Sequence, residues 1–230
     1  MSGKLFLVAT PIGNPDDITL RALSTLKSVD LIACEELKPA RRLLSEYEIE
    51  KELIPLNEHN EQEAAKEVVK QIKSGKNVAL ISDGGTPLFS DPGHFLLQLC
   101  IQADIKTVPV VGANSLIPAL TASGLDAEKF YYYGWLSPKK EVRKKELQML
   151  TNIKEIIVLL DTPYRLIRIL NDVKNCFGKR QKIVLAYKLT MEEEHFFRGD
   201  VSQVLAAAEK RNLKGEFVLL IDNKLASTRN

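Results

Sequence analysis

Short apolar runs of strand length alternate with amphipathic stretches along the chain, and this alternation constrains the fold more than any other feature. In the first half the segments between the runs carry apolar residues at helical spacing. The runs are Lys4–Thr10, Leu31–Cys34, Leu53–Leu56, Asn77–Ile81 and Lys106–Val110. Strands separated by helices predict a mostly parallel sheet with helices on both faces.

Capping residues predict the limits of two helices in this half. Asn14 precedes a proline and two aspartates, which predicts a helix over Pro15–Ser28 with Asn14 as its N-cap. Asn60 precedes a second segment of helical periodicity, and Gly75 supplies the stop at its end. Both helices would connect successive strands of the predicted sheet.

The pattern changes after Gly124, where aromatic residues are followed by a cluster of charges. Further strands and helices are predicted beyond it: Glu155–Leu160, Lys182–Ala186, His195–Arg198 and Phe217–Ile221 as strands, with helices near Lys140–Leu150, Tyr164–Cys176 and Val201–Lys210. A chain of 230 residues has room for two small domains. We therefore predict two α/β domains, residues 1–125 and 126–230, followed at the end by a frayed polar tail over Lys224–Asn230.

Composition excludes several classes of protein. With 45% hydrophobic and 27% charged residues the chain is predicted to fold as a soluble protein rather than to be disordered. The net charge of +2 does not predict a cationic surface that wraps nucleic acid, so any RNA contact must be local. The runs Leu5–Ala9 and Ile156–Leu160 are much shorter than the roughly 20 residues that span a bilayer. We expect a cytoplasmic protein without a signal peptide or a membrane span.

The cysteines and histidines do not indicate a disulfide framework or a metal site. Cys34, Cys100 and Cys176 are odd in number, widely separated and surrounded by apolar residues, which favours reduced core thiols. The three histidines are dispersed along the chain. Of these, only His59, directly after a predicted strand, is a candidate general base, and a surface or capping role would also explain it.

Three loops after predicted strands are candidate ligand sites, because ligands of open α/β sheets bind outside the carboxyl ends of the strands. They are Thr10–Asn14, Ser82–Pro87 with its continuation to Gly93, and Val111–Ser115. In the second loop Asp83 offers hydrogen-bond acceptors, and the pair Gly84 and Gly85 allows close backbone approach. Each loop also has a purely structural explanation as a tight connection.

A basic cluster follows Trp135 at the start of the second predicted domain. Lys140, Arg143 and Lys144 share one helix face through their i, i+3 and i+4 spacings. This arrangement predicts contacts with successive RNA phosphates, with Trp135 as a stacking surface. An ordinary solvated helix, with Glu141 and Glu146 balancing the charge, is the alternative.

The ordered set of loop motifs resembles a known family. Thr10–Asn14, His59–Glu61, Ser82–Pro87 and Asp91–Gly93 are similar to the tetrapyrrole methylase superfamily, and more narrowly to its branch of 16S ribosomal RNA (cytidine-2′-O)-methyltransferases. The resemblance covers nearly the whole chain. It implies two α/β domains with S-adenosylmethionine in the cleft between them, a homodimer, and ribosomal RNA of the small subunit as the partner.

The resemblance also implies which residues form the cofactor site. The first domain would contribute the loop residues that match the motifs, namely Pro11, Asp83, Gly84, Gly85, Thr86, Pro87, Asn114 and Ser115. The second domain would close the site with Leu160 and Leu189. Methyl transfer needs alignment of donor and acceptor more than covalent help from the protein.

The acceptor side departs from the family pattern. Where the family reads Ala-Glu-Asp-Thr-Arg, this chain has Cys34–Lys38, with lysine in place of arginine. Glu35 and Glu36 are the favoured acids for removing the proton of a ribose hydroxyl, with Lys38 and His59 at the same predicted sheet edge. The departure leaves two alternatives open: a methylase of a tetrapyrrole-like small molecule, and a non-catalytic paralogue that binds the cofactor and a ribosomal or protein partner.

Overall fold

The computed structural model describes residues 2–89 and 91–224; Met1, Ser90 and the part of the predicted polar tail from residue 225 onward lie outside the described residues. The contacts divide the chain into two compact units, Met1–Asn114 and Ser115–Asn230. The domain boundary expected at residues 125–126 stays a prediction, because grouping by contacts does not show which segment folds independently. We describe each unit by itself.

The first unit alternates strands and helices. Its elements within the described residues are β1 (Leu5–Val8), α1 (Leu20–Ser28), β2 (Leu31–Cys34), α2 (Leu37–Glu46), β3 (Glu52–Pro55), α3 (Glu61–Lys73), β4 (Val78–Ile81), α4 (His94–Gln102) and β5 (Thr107–Val110). The strands form one parallel sheet in the order β3-β2-β4-β1-β5. The mostly parallel sheet that the sequence predicts is confirmed.

Both faces of this sheet are covered by helices. Strands β2 and β4 are buried at every position, as expected of central strands in a parallel sheet. Alternate residues of the strands enter two separate cores: Leu31 and Leu80 pack with α3 and α4, whereas Ile32 and Ile81 pack with α1 and α2. Because all five strands run parallel, their carboxyl ends lie at one edge of the sheet, and this edge carries the candidate loops.

The helix predicted over Pro15–Ser28 is wrong in its first part. Pro15–Asp17 forms a short 3-10 helix capped by Asn14, and α1 begins only at Leu20. Residues 18 and 19 are extended, and the Thr19 hydroxyl accepts a hydrogen bond from the backbone of residue 22 as the true N-cap of α1. The second prediction holds, since α3 begins directly after Asn60 and is followed by Gly75 in a left-handed conformation.

The second unit has a mixed sheet. Its elements within the described residues are α5 (Leu116–Thr121), β6 (Phe130–Trp135), α6 (Lys140–Leu150), β7 (Ile156–Asp161), α7 (Leu166–Phe177), β8 (Lys182–Tyr187), β9 (His195–Asp200), α8 (Val201–Lys210) and β10 (Phe217–Asp222). The strand order is β6-β7-β10-β8-β9, and only β6 and β7 pair in parallel. Helices α6, α7 and α8 pack against the sheet in one large apolar core.

The short helix α5 belongs to this unit through contacts with β10. The Arg198 guanidinium donates hydrogen bonds to the carbonyl oxygens of Ala122 and Ser123 at the end of α5 and stacks on the Phe196 ring. No helix in the described parts of either unit has the length and apolar character needed to cross a membrane.

Candidate functional site

The loops that follow β1 and β4 are joined by main-chain hydrogen bonds. Thr10 and Gly85 exchange both backbone hydrogen bonds, each 2.9 Å between nitrogen and oxygen. Gly85 has a φ of +88°, and a Cβ there would lie 3.3 Å from the Ile12 side chain. A Cβ on Gly84 would lie 3.3 Å from the Pro11 carbonyl oxygen. The two glycines thus allow the loops to approach each other closely.

The loop after β5 joins the same edge. The Thr86 hydroxyl donates a hydrogen bond to the Ala113 carbonyl oxygen at 3.3 Å. Gly112 packs so closely on Ala9 that an added Cβ would lie 3.0 Å from the Ala9 Cβ. The sheet therefore brings three of the motif-bearing loops together, although they are far apart in the sequence.

Predicted cofactor residues have different degrees of exposure in the structure. Asp83, Gly84 and Thr86 are exposed in the first unit, whereas Gly85 and Pro87 are buried. Pro11 and Asn114 are half-buried on the two neighbouring loops. Three further candidates fall in the second unit, at the start of α5, near the end of β7 and after β8: Ser115, Leu160 and Leu189.

Three carboxyl groups at this edge have raised pKa values. Burial is the main cause for Glu35, and the negative charges of Asp83 and Asp91 raise its pKa further. Asp83 is exposed as a residue, but partial burial of its carboxyl group raises its pKa, against a hydrogen bond from the Glu36 backbone. For Asp91, burial outweighs a hydrogen bond with the Ser82 side chain. The three acidic groups lie at one edge of the sheet, and this edge therefore favours a cationic ligand.

The other acceptor-side candidates are more exposed. Glu36 and Lys38 are exposed at the start of α2. The His59 side chain is 85% exposed, and its Nε2 lies 3.5 Å from the neighbouring Glu58 carboxylate. The structure thus places Glu35 among the carboxyl groups whose pKa is raised, and His59 in a solvent-exposed turn.

The residues around His59 have an architectural role. Asn60 Oδ1 accepts a hydrogen bond from the Asn57 backbone, and its Nδ2 donates to the Pro55 carbonyl oxygen. Glu61 Oε1 accepts hydrogen bonds from the backbone nitrogens of Gly93 and Phe95, at 2.7 and 3.0 Å. Glu61 therefore satisfies free N–H groups at the start of α4 and fixes the turn after Asp91.

In the second unit, the predicted RNA contact Arg143 is wrong. Arg143 is 2% exposed, and its Nε lies 2.7 Å from the Asp172 carboxylate of α7. Its Nη1 donates to the carbonyl oxygens of Ser137 and Pro138, each at 3.0 Å. The Arg143 guanidinium is therefore paired inside the unit and is not available to RNA, because a buried guanidinium requires partners for its donors. Lys140, Lys144 and Trp135 remain exposed.

The comparisons with known proteins agree with this architecture. A family model described as Tetrapyrrole (Corrin/Porphyrin) Methylases matches residues 4–205. The chain belongs to this family. The membership predicted from the ordered motifs is confirmed.

Two curated relatives of this family member extend the match over nearly the full chain. One, from Bacillus subtilis (strain 168), is 40% identical over 220 residues, covering 96% of this chain and 75% of the relative. Another, from Thermotoga maritima, is 38% identical over 222 residues, covering 96% of this chain and 99% of the relative. Both are named ribosomal RNA small subunit methyltransferase I.

Solved tetrapyrrole methylases share the fold. A cobalt precorrin-4 methyltransferase matches with a TM-score of 0.73 at 17% identity, covering 96% of this chain and 95% of the other. A uroporphyrin-III C-methyltransferase from Thermus thermophilus, in complex with S-adenosylhomocysteine, matches with a TM-score of 0.67 at 17% identity, covering 98% and 100%. The α/β fold class predicted from the alternation is confirmed, and the cleft between domains stays a prediction.

Two features of this methylase were missed at the sequence level. Asp91 enters the sequence analysis only as part of a motif, although its place in the continuation of the glycine loop is a signal for the same edge. Arg165 is not among the site residues that the sequence predicts, because its contacts with Leu136 and Ser137 join residues 28 or more positions apart, which no local pattern shows.

Proposed function

We propose that this chain transfers a methyl group from S-adenosylmethionine to small-subunit ribosomal RNA, at the 2′-hydroxyl of a cytidine ribose. The observation that carries the proposal is the 40% identity over 96% of the chain to a curated relative named for that RNA. The position of attack rests on the resemblance to the cytidine-2′-O branch. Membership of a methylase family supports the reaction class.

The donor-side loops fit the methyl donor by their chemistry. When bound, S-adenosylmethionine supplies a methyl group on a positively charged sulfur. Glu35, Asp83 and Asp91 give the edge a negative charge, and no lysine or arginine of the described residues forms an ion pair with them. The bridge between Thr10 and Gly85 fixes this edge without using side chains.

We assign the cofactor contacts to the residues that match the family motifs. In the first unit these are Pro11, Asp83, Gly84, Gly85, Thr86, Pro87 and Asn114. Buried Pro87 and Gly85 would shape the loop, whereas exposed Asp83 and Thr86 would offer oxygen atoms to donors of the ligand. Ser115, Leu160 and Leu189 are the contribution of the second unit.

We assign Glu35 as the proton acceptor for the ribose hydroxyl. A bond forms between the 2′-oxygen and the methyl carbon, the carbon–sulfur bond breaks with its electron pair on sulfur, and the hydroxyl proton passes to a Glu35 carboxylate oxygen. Its raised pKa makes the Glu35 carboxylate a stronger base. Glu36, Lys38 and His59 would contact the acceptor around it.

The proposed RNA contacts are the exposed members of the predicted set, Lys140, Lys144 and Trp135. The two lysines line a cavity of about 380 Å³ between α6 and α7, together with Gln148 and Asn175. Both lysines are exposed and neither forms an ion pair among the described residues, so both ammonium groups are available to phosphate oxygens. A homodimer and a cytoplasmic location remain predictions of the resemblance, and analytical ultracentrifugation tests the first.

The test is transfer of labelled methyl groups from S-adenosylmethionine to small ribosomal subunits from a strain that lacks this gene, with mass mapping of the product. We expect 2′-O-methylcytidine with the wild type. Glu35→Gln should lower kcat by about 10²- to 10⁴-fold with little change in affinity for S-adenosylhomocysteine. Asp83→Ala should instead weaken that affinity, and Glu63→Gln, on an exposed position of α3, should change neither.

The same experiment separates the alternatives. Methyl transfer to a tetrapyrrole precursor and none to RNA would replace the proposal with a small-molecule methylase. Binding of S-adenosylhomocysteine without transfer to either acceptor would indicate a non-catalytic paralogue. Absence of binding at millimolar ligand would contradict all three functions.

A further inference from the structure

Two exposed aromatic side chains follow neighbouring strands of the second unit. Trp135 is the last residue of β6 and is 47% exposed. Tyr164 lies in the short 3-10 helix Pro163–Arg165 that follows β7 and is 93% exposed. Because β6 and β7 pair in parallel, with Trp135 opposite Leu160, both aromatic residues lie at the same edge of the sheet.

The segments that carry the two aromatics are tied together. Nη2 of Arg165, the residue after Tyr164, donates hydrogen bonds to the carbonyl oxygens of Leu136 and Ser137, at 2.9 and 3.0 Å. Arg143 holds the same segment from the other side through Ser137 and Pro138. Arg165 thus fixes the main chain after Trp135 to the turn that carries Tyr164, and Arg143 fixes the same segment to α6. These hydrogen bonds preorganise the edge.

The charge around this edge suits RNA. Helix α6 begins five residues after Trp135, and its first half exposes Lys140, Lys144 and Lys145, preceded by exposed Lys139. Exposed aromatic rings beside a cationic surface are the combination by which proteins bind single-stranded nucleic acid, since bases stack on the rings and cations contact the phosphates. An apolar protein partner would not require the lysines.

We propose that Trp135 and Tyr164, called here the aromatic pair, stack with unpaired bases of the RNA substrate. The inference rests on the proposed function, because that function supplies the RNA. It assigns to Tyr164 a role in binding that extends the contact beyond Trp135. Arg165 is a positioning residue, since it acts by holding the two segments together.

Trp135 is the single tryptophan of the chain, so its fluorescence reports on the aromatic pair directly. We expect quenching when the full chain is titrated with a short oligocytidylate. An abasic oligonucleotide of the same length and charge should bind more weakly and leave the fluorescence unchanged. Equal quenching by the two would show that the signal comes from charge and would overturn the stacking proposal.

Variants separate stacking from the fold. Tyr164→Ala should weaken the affinity for oligocytidylate by about 5- to 150-fold, the effect of losing one stacked base. Tyr164→Phe keeps the ring and should stay within twofold of the wild type, roughly the limit of a ring-preserving change. Phe130→Ala removes another exposed aromatic from the opposite end of β6 and serves as the matched control, with unchanged affinity.

The inference and the proposed function fail in different ways. Lack of quenching at millimolar oligocytidylate overturns the aromatic pair whatever the methylation assay gives. Quenching by a porphyrin and not by oligocytidylate overturns it in favour of a small-molecule acceptor. If oligocytidylate quenches the wild type and binds Tyr164→Ala more weakly by the expected factor, but no methyl group reaches RNA, the aromatic pair stands and the proposed activity fails.

Discussion

The segments that follow the strands are fixed by backbone hydrogen bonds in the first unit and by arginine side chains in the second. In the first unit, the loops after β1 and β4 are joined through the backbone of Thr10 and Gly85. In the second, the segment after β6 is held by the side chains of Arg143 and Arg165, which bond to main-chain carbonyl oxygens. The first arrangement leaves its carboxyl side chains available, whereas the second uses its buried cations for structure.

This difference shows why some charged residues of the chain are available to ligands and others only stabilise the fold. A carboxylate at the first edge lacks an ion-pair partner among the described residues, so burial and its neighbours raise its pKa. Arg143 of α6 is not available to bind RNA, because it donates hydrogen bonds to Asp172 and to two carbonyl oxygens. Charge type alone therefore does not identify a binding residue; the partners already made inside the fold decide.

The largest effect should follow removal of the buried arginine. Arg143→Ala leaves Asp172 without its cation and the Pro138 carbonyl oxygen without its guanidinium donor, whereas Ser137 keeps the hydrogen bond from Arg165. We expect the free energy of unfolding to fall by about 3–5 kcal/mol. Urea unfolding followed by Trp135 fluorescence measures this in the second unit. Lys144→Ala, on the same helix, should change it by no more than about 0.5 kcal/mol. Equal losses would contradict the structural role of Arg143.

Gly85→Ala tests whether the first edge depends on its backbone. The left-handed conformation at φ +88° should cost about 1–2 kcal/mol in an alanine, and the new Cβ would press on Ile12. We expect lower stability and weaker binding of S-adenosylhomocysteine by calorimetry. Gly124→Ala is the matched control, since its φ is +79° but nothing lies within 4 Å of the added Cβ. Equal affinity in both variants would show that the bridge does not shape the cofactor site.

The exposed lysines of α6 should affect RNA binding and leave stability unchanged. Lys140→Ala and Lys144→Ala should each reduce the slope of log affinity against log salt by roughly 0.7–0.9, the effect of one lost phosphate contact. Lys66→Ala, exposed on α3 of the first unit, provides the control for a general loss of charge. If the slope stays the same in both α6 variants, this face does not contact RNA.

The smallest effect concerns pH. The raised pKa values of Glu35 and Asp83 mean that these groups bind protons more tightly in the folded state than in the unfolded state. Their contribution to stability is therefore fully present below their unfolded pKa values and is lost as pH rises through the folded ones. For Asp83 the window starts at its ordinary value of 3.8. In Asp83→Asn, the free energy of unfolding measured with urea should fall less across this window than in the wild type. Glu63→Gln should leave this fall unchanged, and an Asp83→Asn variant that loses stability relative to the wild type as pH rises there would contradict the sign.

Local sequence patterns predicted most of the fold. Strands β2 and β4 and helices α3 and α6 lie within a residue or two of the expected bounds, because hydrophobic periodicity and caps act over a few residues. The segment Pro15–Ser28 shows the limit of such patterns. Asn14 and Thr19 are both good caps, and the sequence alone did not show that the first would serve only one short turn.

The sequence by itself determined the alternation of strands and helices and the family, because both depend on the order of residues along the chain. Only the tertiary structure decided which charges are available. Helical spacing put Arg143 on one face with two lysines, but Asp172, 29 residues away on another helix, buries that guanidinium. In the same way, Glu35 and Asp83 meet because β2 and β4 are neighbours in the sheet. Long-range packing sets burial and pairing, and these decide whether a charged side chain faces a ligand or supports the fold.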